Sequence, residues 1–127
     1  MNSTEILRKY KSFAVIGVTT NTEKYGYKVY QKLKELNKIV YGISPIYSDI
    51  DGDPTYPSLE SVGKPIDIAV FIVNKKFGLS YLEEVQDLGI KYAWMQPGTY
   101  DEDFLGIIKD KGITPIPDCV LIQADYL

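Results

Sequence analysis

Ser12-Phe13-Ala14-Val15-Ile16-Gly17-Val18-Thr19-Thr20-Asn21-Thr22 is the stretch that decides how this chain folds. Phe13 to Ile16 are apolar without a break, and Val18 extends the run across a glycine. Such a strand has no polar face, so both faces must be covered, as in a parallel sheet sandwiched between helices. Small polar residues follow Gly17, and a helical pattern follows them. Strand, tight turn and helix N-terminus in that order put backbone amides where an α/β sheet can hold a phosphate.

Upstream of this stretch, Ser3 or Thr4 caps a short helix whose Ile6, Leu7 and Tyr10 share a face. Downstream, Val29, Tyr30, Leu33 and Leu36 recur at helical spacing over about residues 25–37. Lys28, Lys32, Lys34 and Glu35 face out, and Asn37 stops the helix. A second strand spans 39–43 and ends at Ser44-Pro45. Residues 46–57 carry Asp51-Gly52-Asp53-Pro54 and Pro57, which is turn and loop chemistry. Ser58 caps one short turn that points Leu59 and Val62 inward. The third strand, 66–73, is the most apolar run. A helix from 74 to about 88 puts Phe77, Tyr81, Val85 and Leu88 on its inner side.

The fourth strand is 91–95, and Gln96-Pro97-Gly98 forms the loop at its end. A helix over 101–111 turns Phe104, Leu105 and Ile108 inward. The last strand, 113–117, carries Pro115 and Pro117, which assign it to a sheet edge. The tail, 118–127, is apolar enough to pack back. Five strands alternating with helices imply parallel pairing and right-handed crossovers. The expectation is one Rossmann-like, three-layer α/β domain over residues 1–127, with a five-stranded parallel sheet.

Composition agrees with a single folded domain. The chain has 127 residues, 45% hydrophobic and 24% charged, which suits a packed core and not disorder. Fourteen basic and 17 acidic residues give a net charge of −3, which argues against nucleic acid or an anionic membrane as partner. No apolar run approaches the ~20 residues of a membrane span. The first eleven residues lack a signal-peptide core. Cys119 is the only cysteine, so no internal disulfide forms, and a cytoplasmic protein is expected. Histidine is absent, which removes zinc-site and serine–histidine chemistry from consideration.

Ligands of open α/β sheets lie beyond the carboxyl ends of the strands, where the strand order reverses. Those ends are Gly17-Val18-Thr19, Ser44-Pro45, Val73-Asn74 and Gln96-Pro97-Gly98, all small or polar beside apolar strand bodies. The dinucleotide fingerprint G-x-G-x-x-G is not met, because Thr19 and Thr22 replace its second and third glycines. The Thr19 hydroxyl and the amides of 19–22 can still donate to a phosphate. An NAD site wants an acid at the end of the second strand, and residues 37–46 contain none. A nucleotide carrying an extra phosphate fits better, with Lys24 and Lys28 nearby; a solvated helix face is the alternative for both lysines.

These residues resemble the small single-domain CoA-binding proteins, similar in fold to the CoA-binding domain of the succinyl-CoA synthetase α subunit. The likeness runs from about residue 12 to 120. It is carried by Ala14-Val15-Ile16-Gly17-Val18-Thr19, by Tyr27 with Val29 and Leu33, and by Ile43-Ser44-Pro45 followed by Gly52 and Tyr56-Pro57-Ser58-Leu59. Ile66-Asp67, Trp94-Met95-Gln96-Pro97-Gly98 and the late Cys119 complete it. Ser44 stands where the family carries asparagine, and the tail lacks the family's basic and histidine residues.

The resemblance implies coenzyme A, or an acyl-CoA, as the ligand. The amides of Val18, Thr19 and Thr20 and the Thr19 hydroxyl would take the diphosphate, and Lys24 would lie near the extra phosphate. Pro45, Ile46 and Val73 would face adenine or the pantetheine arm. Ser44 and Asn74 belong to the same edge. Gln96 and the Gly98 amide would bind the arm's amides. Cys119 is either a buried structural thiol or a partner for the CoA thiol in a mixed disulfide. Trp94 is either core or a stacking surface for adenine. With no histidine, no second domain and no Tyr-x-x-x-Lys pair placed after the fourth strand, binding without catalysis is expected. An NAD(P)-dependent oxidoreductase is the alternative, and a scaffold domain that pairs, for instance as a homodimer, through its edge strand is another.

Overall fold

The computed structural model describes residues 1–127. The elements in chain order are α1 (Ser3–Lys9), β1 (Ser12–Ile16), α2 (Tyr25–Glu35), β2 (Ile39–Ile43), β3 (Asp49–Ile50), β4 (Asp53–Tyr56), β5 (Ile68–Phe71), α3 (Lys75–Asp87), β6 (Tyr92–Met95), α4 (Glu102–Asp110), β7 (Thr114–Pro117) and α5 (Val120–Ala124). A single 3₁₀ turn, Glu60–Val62, lies between β4 and β5. Asn2, not Ser3 or Thr4, caps α1: its side chain accepts from the Glu5 amide.

The strands form one sheet in the order β3-β4-β2-β1-β5-β6-β7. β1 is at the centre, with Phe13 opposite Val40 on one side and Ile68 on the other, both parallel. All five of its residues are buried, as an unbroken apolar run requires. The sheet is not the expected five-stranded parallel one. There are seven strands and the sheet is mixed, because residues 46–57 are not all loop. Asp49–Ile50 and Asp53–Tyr56 make a hairpin around Asp51-Gly52, antiparallel within itself, and β4 adds parallel to β2. A Pro54 in β4 and a two-residue β3 gave no alternation from which to read a strand.

Polar contacts clamp this hairpin to α2. Tyr27 Oη donates to Asp51 at 2.5 Å and Gln31 Nε2 donates to the same carboxylate at 2.8 Å. Tyr30 Oη donates to Asp53 at 3.1 Å, and Lys34 pairs with Asp53 as well.

Alternation along the strands divides the core into two layers. Ala14, Ile16, Ala69, Phe71, Ala93 and Met95 pack on Leu82 and Val85 of α3 and Phe104 and Ile108 of α4. Phe13, Val15, Ile68, Val70 and Trp94 pack on the other side against α1, Val29, Tyr30 and Leu33 of α2, and Val120 of α5. The inner face of α3 is Gly78, Leu82 and Val85; of the expected row Val85 is buried and Tyr81 packs at the margin of the core, while the other two do not face it. Phe77 and Leu88 are exposed. Gly78 sits against Phe71 and Phe104, so α3 rotates to bring its smallest residue onto the sheet.

β7 is an edge strand, as its prolines indicated. The opposite edge is only the two residues of β3. A proline-bearing edge and a very short one are both poor templates for pairing another chain.

Asp67 fastens the foot of the central strand. Its carboxylate accepts from the amides of Lys11 and Ser12 at 3.1 Å each, while its own amide donates to Ser12 Oγ at 2.9 Å. Partial burial works against the carboxylate, but these hydrogen bonds prevail and hold its pKa below the ordinary aspartate value. A carboxylate depressed in the fold contributes stability that is present above its unfolded pKa and is lost as pH falls through the folded one. Asp67→Asn is therefore expected to cost about 1–2 kcal/mol at pH 7, and the difference is expected to shrink as pH falls through the depressed pKa of the folded carboxylate. Urea denaturation across pH checks this; a pH-independent difference would contradict it.

Candidate functional site

The chain leaves β1 for α2 and β2 on one side, then returns to place β5 on the other. The strand order therefore reverses beside β1, and a cleft opens above that point. It measures about 640 Å³, within the range of small-molecule sites. Gly17, Val18 and Thr19 after β1 and Ile72 and Val73 after β5 form its floor. Ser44, Pro45, Ile46 and Tyr47 after β2 make one wall. Glu23, Lys24, Tyr25 and Gly26 at the start of α2 line it too, with Phe77 and Tyr81 from α3.

Local backbone geometry makes the floor. Gly17 has φ +103°, a conformation that side-chain-bearing residues rarely adopt, and a Cβ there would lie 2.9 Å from Val73 Cγ1. The Gly17 amide still bonds to Ile43 O at 3.0 Å. The next three amides, of Val18, Thr19 and Thr20, have no acceptor within the chain. Gly26 then lets α2 descend onto the turn, because a Cβ there would be 2.3 Å from the Gly17 carbonyl oxygen. This is the role of the third glycine in a dinucleotide fingerprint. The sequence signal for it, Tyr25-Gly26-Tyr27, lies beyond the spacing of that fingerprint.

The Thr19 hydroxyl works in two directions: it accepts from the Asn21 amide at 3.2 Å and meets the Tyr47 hydroxyl at 3.3 Å. Tyr47, Glu23, Tyr25, Gly26, Ile72, Phe77 and Tyr81 are cleft residues that sequence reasoning missed. Phe77 and Tyr81 fit a helical core pattern, which hides their place in the cleft. Tyr47 lay in a segment read as loop.

Of the expected site residues, Gly17, Val18, Thr19, Lys24, Ser44, Pro45, Ile46 and Val73 come together around the cleft. Thr20 adjoins it through Tyr47, whose phenol is pulled below its ordinary pKa by hydrogen bonds from Thr19 and Thr20 and by the charge of Lys24. Asn74, Gln96, Gly98 and Cys119 are not among the lining residues. Asn74 caps α3, accepting from the amides of Lys76 and Phe77. Gly98 lies in an exposed turn with φ +88°. Gln96 is buried; its Oε1 accepts from Val120 N at 2.7 Å and its Nε2 points at Cys119 Sγ, 3.5 Å away. Lys28 is outside the lining as well, on the exposed side of α2.

Trp94 is fully buried in the layer opposite the cleft floor's α3 side, and its Nε1 donates to Asp118 O at 2.8 Å. Cys119 is buried at 7% exposure. A thiol so enclosed is slow to exchange. Incubating the folded protein with CoA disulfide is expected to leave Cys119 unmodified by intact-mass analysis, and to modify it only in denaturant; rapid labelling without denaturant would contradict the placement.

The sheet, the reversed strand order and the glycine turn after β1 define a Rossmann-like class of α/β domain. The family model of a CoA binding domain matches residues 11–125, and the chain belongs to that family. Among its relatives is the ADP-forming acetate–CoA ligase of Methanocaldococcus jannaschii, 37% identical over 83 residues, which are 65% of this chain and 12% of the ligase. Another is the ADP-forming acetate–CoA ligase I of Archaeoglobus fulgidus, 26% identical over 121 residues, 87% of this chain and 18% of that protein. The chain thus spans under a fifth of the length of these ligases. A solved structure of a hypothetical protein from Pyrococcus horikoshii OT3 superposes with TM-score 0.90 at 27% identity, covering 97% of this chain and 87% of the other.

Proposed function

We propose that this chain binds coenzyme A, or an acyl-CoA, in the cleft above Gly17, as a carrier, sensor or regulatory module without chemistry of its own. The observation that carries the reading is the run of three amides, Val18 to Thr20, free of any acceptor at the reversal of strand order. Three successive N–H groups without an acceptor, on a turn against which the N-terminal end of α2 packs, suit a diphosphate. The lining wall after β2 has no carboxylate to grip an unphosphorylated ribose, which turns the reading from NAD. The apolar walls, from Pro45 and Ile46 to Val73 and Phe77, suit adenine and the pantetheine arm. Membership of the CoA binding domain family supports the same ligand. The absence of histidine from the sequence removes the commonest acid–base group from any reaction scheme.

Thermal unfolding with CoA, acetyl-CoA, NAD, NADP and ATP tests the proposal. A ligand at 100 times its dissociation constant stabilises a fold by about 2.7 kcal/mol, so CoA or acetyl-CoA is expected to raise the midpoint by several degrees. A rise with NAD and none with either CoA compound would favour an oxidoreductase. No rise with any nucleotide, together with self-association by light scattering, would favour a scaffold.

A further inference from the structure

Helix α2 bears on both sides of the cleft. At its start Gly26 lies on the Gly17 turn, against the Gly17 carbonyl oxygen. Tyr27, Tyr30, Gln31 and Lys34 follow at i, i+3, i+4 and i+7, the spacing that lines one helix face. That face grips the β3–β4 hairpin at two carboxylates. Tyr27 and Gln31 donate to Asp51, and Tyr30 and Lys34 bind Asp53. Between the two acids, Asp51 and Gly52 take φ values of +50° and +88°, which close a tight turn. The hairpin in turn carries the cleft wall that follows β2. Thr55 N donates to Ser48 O at 3.0 Å, Thr55 Oγ1 donates to Tyr47 O, and Ser44 N donates to Tyr56 O at 2.9 Å. Within the wall, Ser44 Oγ accepts from the amides of Ile46 at 3.1 Å and Tyr47 at 3.3 Å. Wall and turn meet where the Tyr47 hydroxyl lies 3.3 Å from Thr19 Oγ1. Ser44 to Tyr47 line the cleft, whereas Tyr27, Tyr30, Gln31, Lys34, Asp51 and Asp53 do not.

We infer, resting on the CoA reading above, that these six residues outside the cleft are positioning residues for it: they fix the distance between the Gly17 turn and the wall after β2. One helix holds both, the turn through Gly26 and the wall through the hairpin. The six act on a ligand only through the backbone of Ser44 to Ser48. Strands of two and four residues have little ladder of their own to keep a hairpin in place. Its bonds to α2 therefore set where the wall stands. Without them hairpin and wall move together relative to the turn, and a ligand has to order the wall as it binds.

Calorimetry with CoA and hydrogen exchange without ligand, both on the full chain, test this. Tyr27→Phe with Tyr30→Phe keeps both rings and removes both hydroxyls. Adding Gln31→Leu and Lys34→Met removes the other two donors. The two-residue variant is expected to weaken CoA binding about threefold and the four-residue variant about tenfold or more, the scale of one or two hydrogen bonds. In both variants the amides of Ile46, Tyr47 and Thr55 are expected to exchange at least about threefold faster, while the Gly17 amide, bonded to Ile43 O, keeps its rate. Asp67→Asn controls for a loss of stability alone, because it loosens the opposite end of the sheet. It is expected to change CoA affinity by less than about twofold. Unchanged CoA affinity in the four-residue variant, unchanged exchange in the wall, or an equal loss of affinity in Asp67→Asn overturns this inference and leaves the CoA reading standing. If wild-type protein binds no CoA, the CoA reading falls, and the exchange comparison alone decides whether the clamp holds the wall.

Discussion

Gly26→Ala is expected to lower ligand affinity more than tenfold and to destabilise the fold, although alanine is the better helix former. Propensity alone would favour the change by about 1 kcal/mol. Sterics reverse the sign. The new Cβ would stand 2.3 Å from the Gly17 carbonyl oxygen and 3.3 Å from both Gly17 C and Thr19 Cγ2. The first of these is backbone and cannot rotate away. Overpacking of this kind costs about 1–3 kcal/mol, and relief requires α2 to lift off the turn that presents the free amides. Gly106→Ala supplies the control: it is also within a helix, but a Cβ there meets nothing within 4 Å. That variant is expected to gain about 0.5–1 kcal/mol. Chemical denaturation of the two variants should thus move in opposite directions. Equal gains would mean that α2 does not press on the turn.

Trp94→Ala should have the largest effect on stability, about 3–5 kcal/mol. Its side chain is fully buried, and its Nε1–H is the donor to Asp118 O. Truncation empties part of the layer beneath α1, α2 and α5 and leaves the Asp118 carbonyl without that donor. A domain with 5–15 kcal/mol in total would lose a large share. Trp94→Phe keeps most of the volume and separates the lost hydrogen bond from the cavity. Circular dichroism in urea measures both variants, since the only tryptophan is removed. If Trp94 were instead an adenine stacking surface, the alanine variant would keep its stability and lose the ligand.

What could be read from the sequence follows from how local each signal was. β1 was legible because Phe13–Ile16 is apolar on both faces, and only a central strand tolerates that. The Gly17 turn was legible because strand, glycine and helix succeed one another directly. The hairpin was not, because Asp53-Pro54-Thr55-Tyr56 has neither alternation nor β-branched density, and long-range contacts with α2 make it a strand. Phe77 and Tyr81 obey a helical period, yet Gly78 decides which side of α3 meets the sheet. Gln96 and Cys119 read as ligand contacts because they follow strand ends. In the fold Gln96 accepts from the Val120 amide at the start of α5, and both Gln96 and Cys119 are buried. Periodicity shows which residues share a face; packing against distant elements decides where that face points.

The central claim is that the turn after β1 is the diphosphate site, and amide NMR of isotope-labelled protein titrated with CoA tests it most directly. The expected result is that the largest shifts fall on Gly17 to Thr20 and Gly26, with smaller ones at Tyr47, and that NAD produces little at the same concentration. Shifts centred on Gln96 to Cys119, or none at Gly17 to Thr20 while CoA binds, would contradict it.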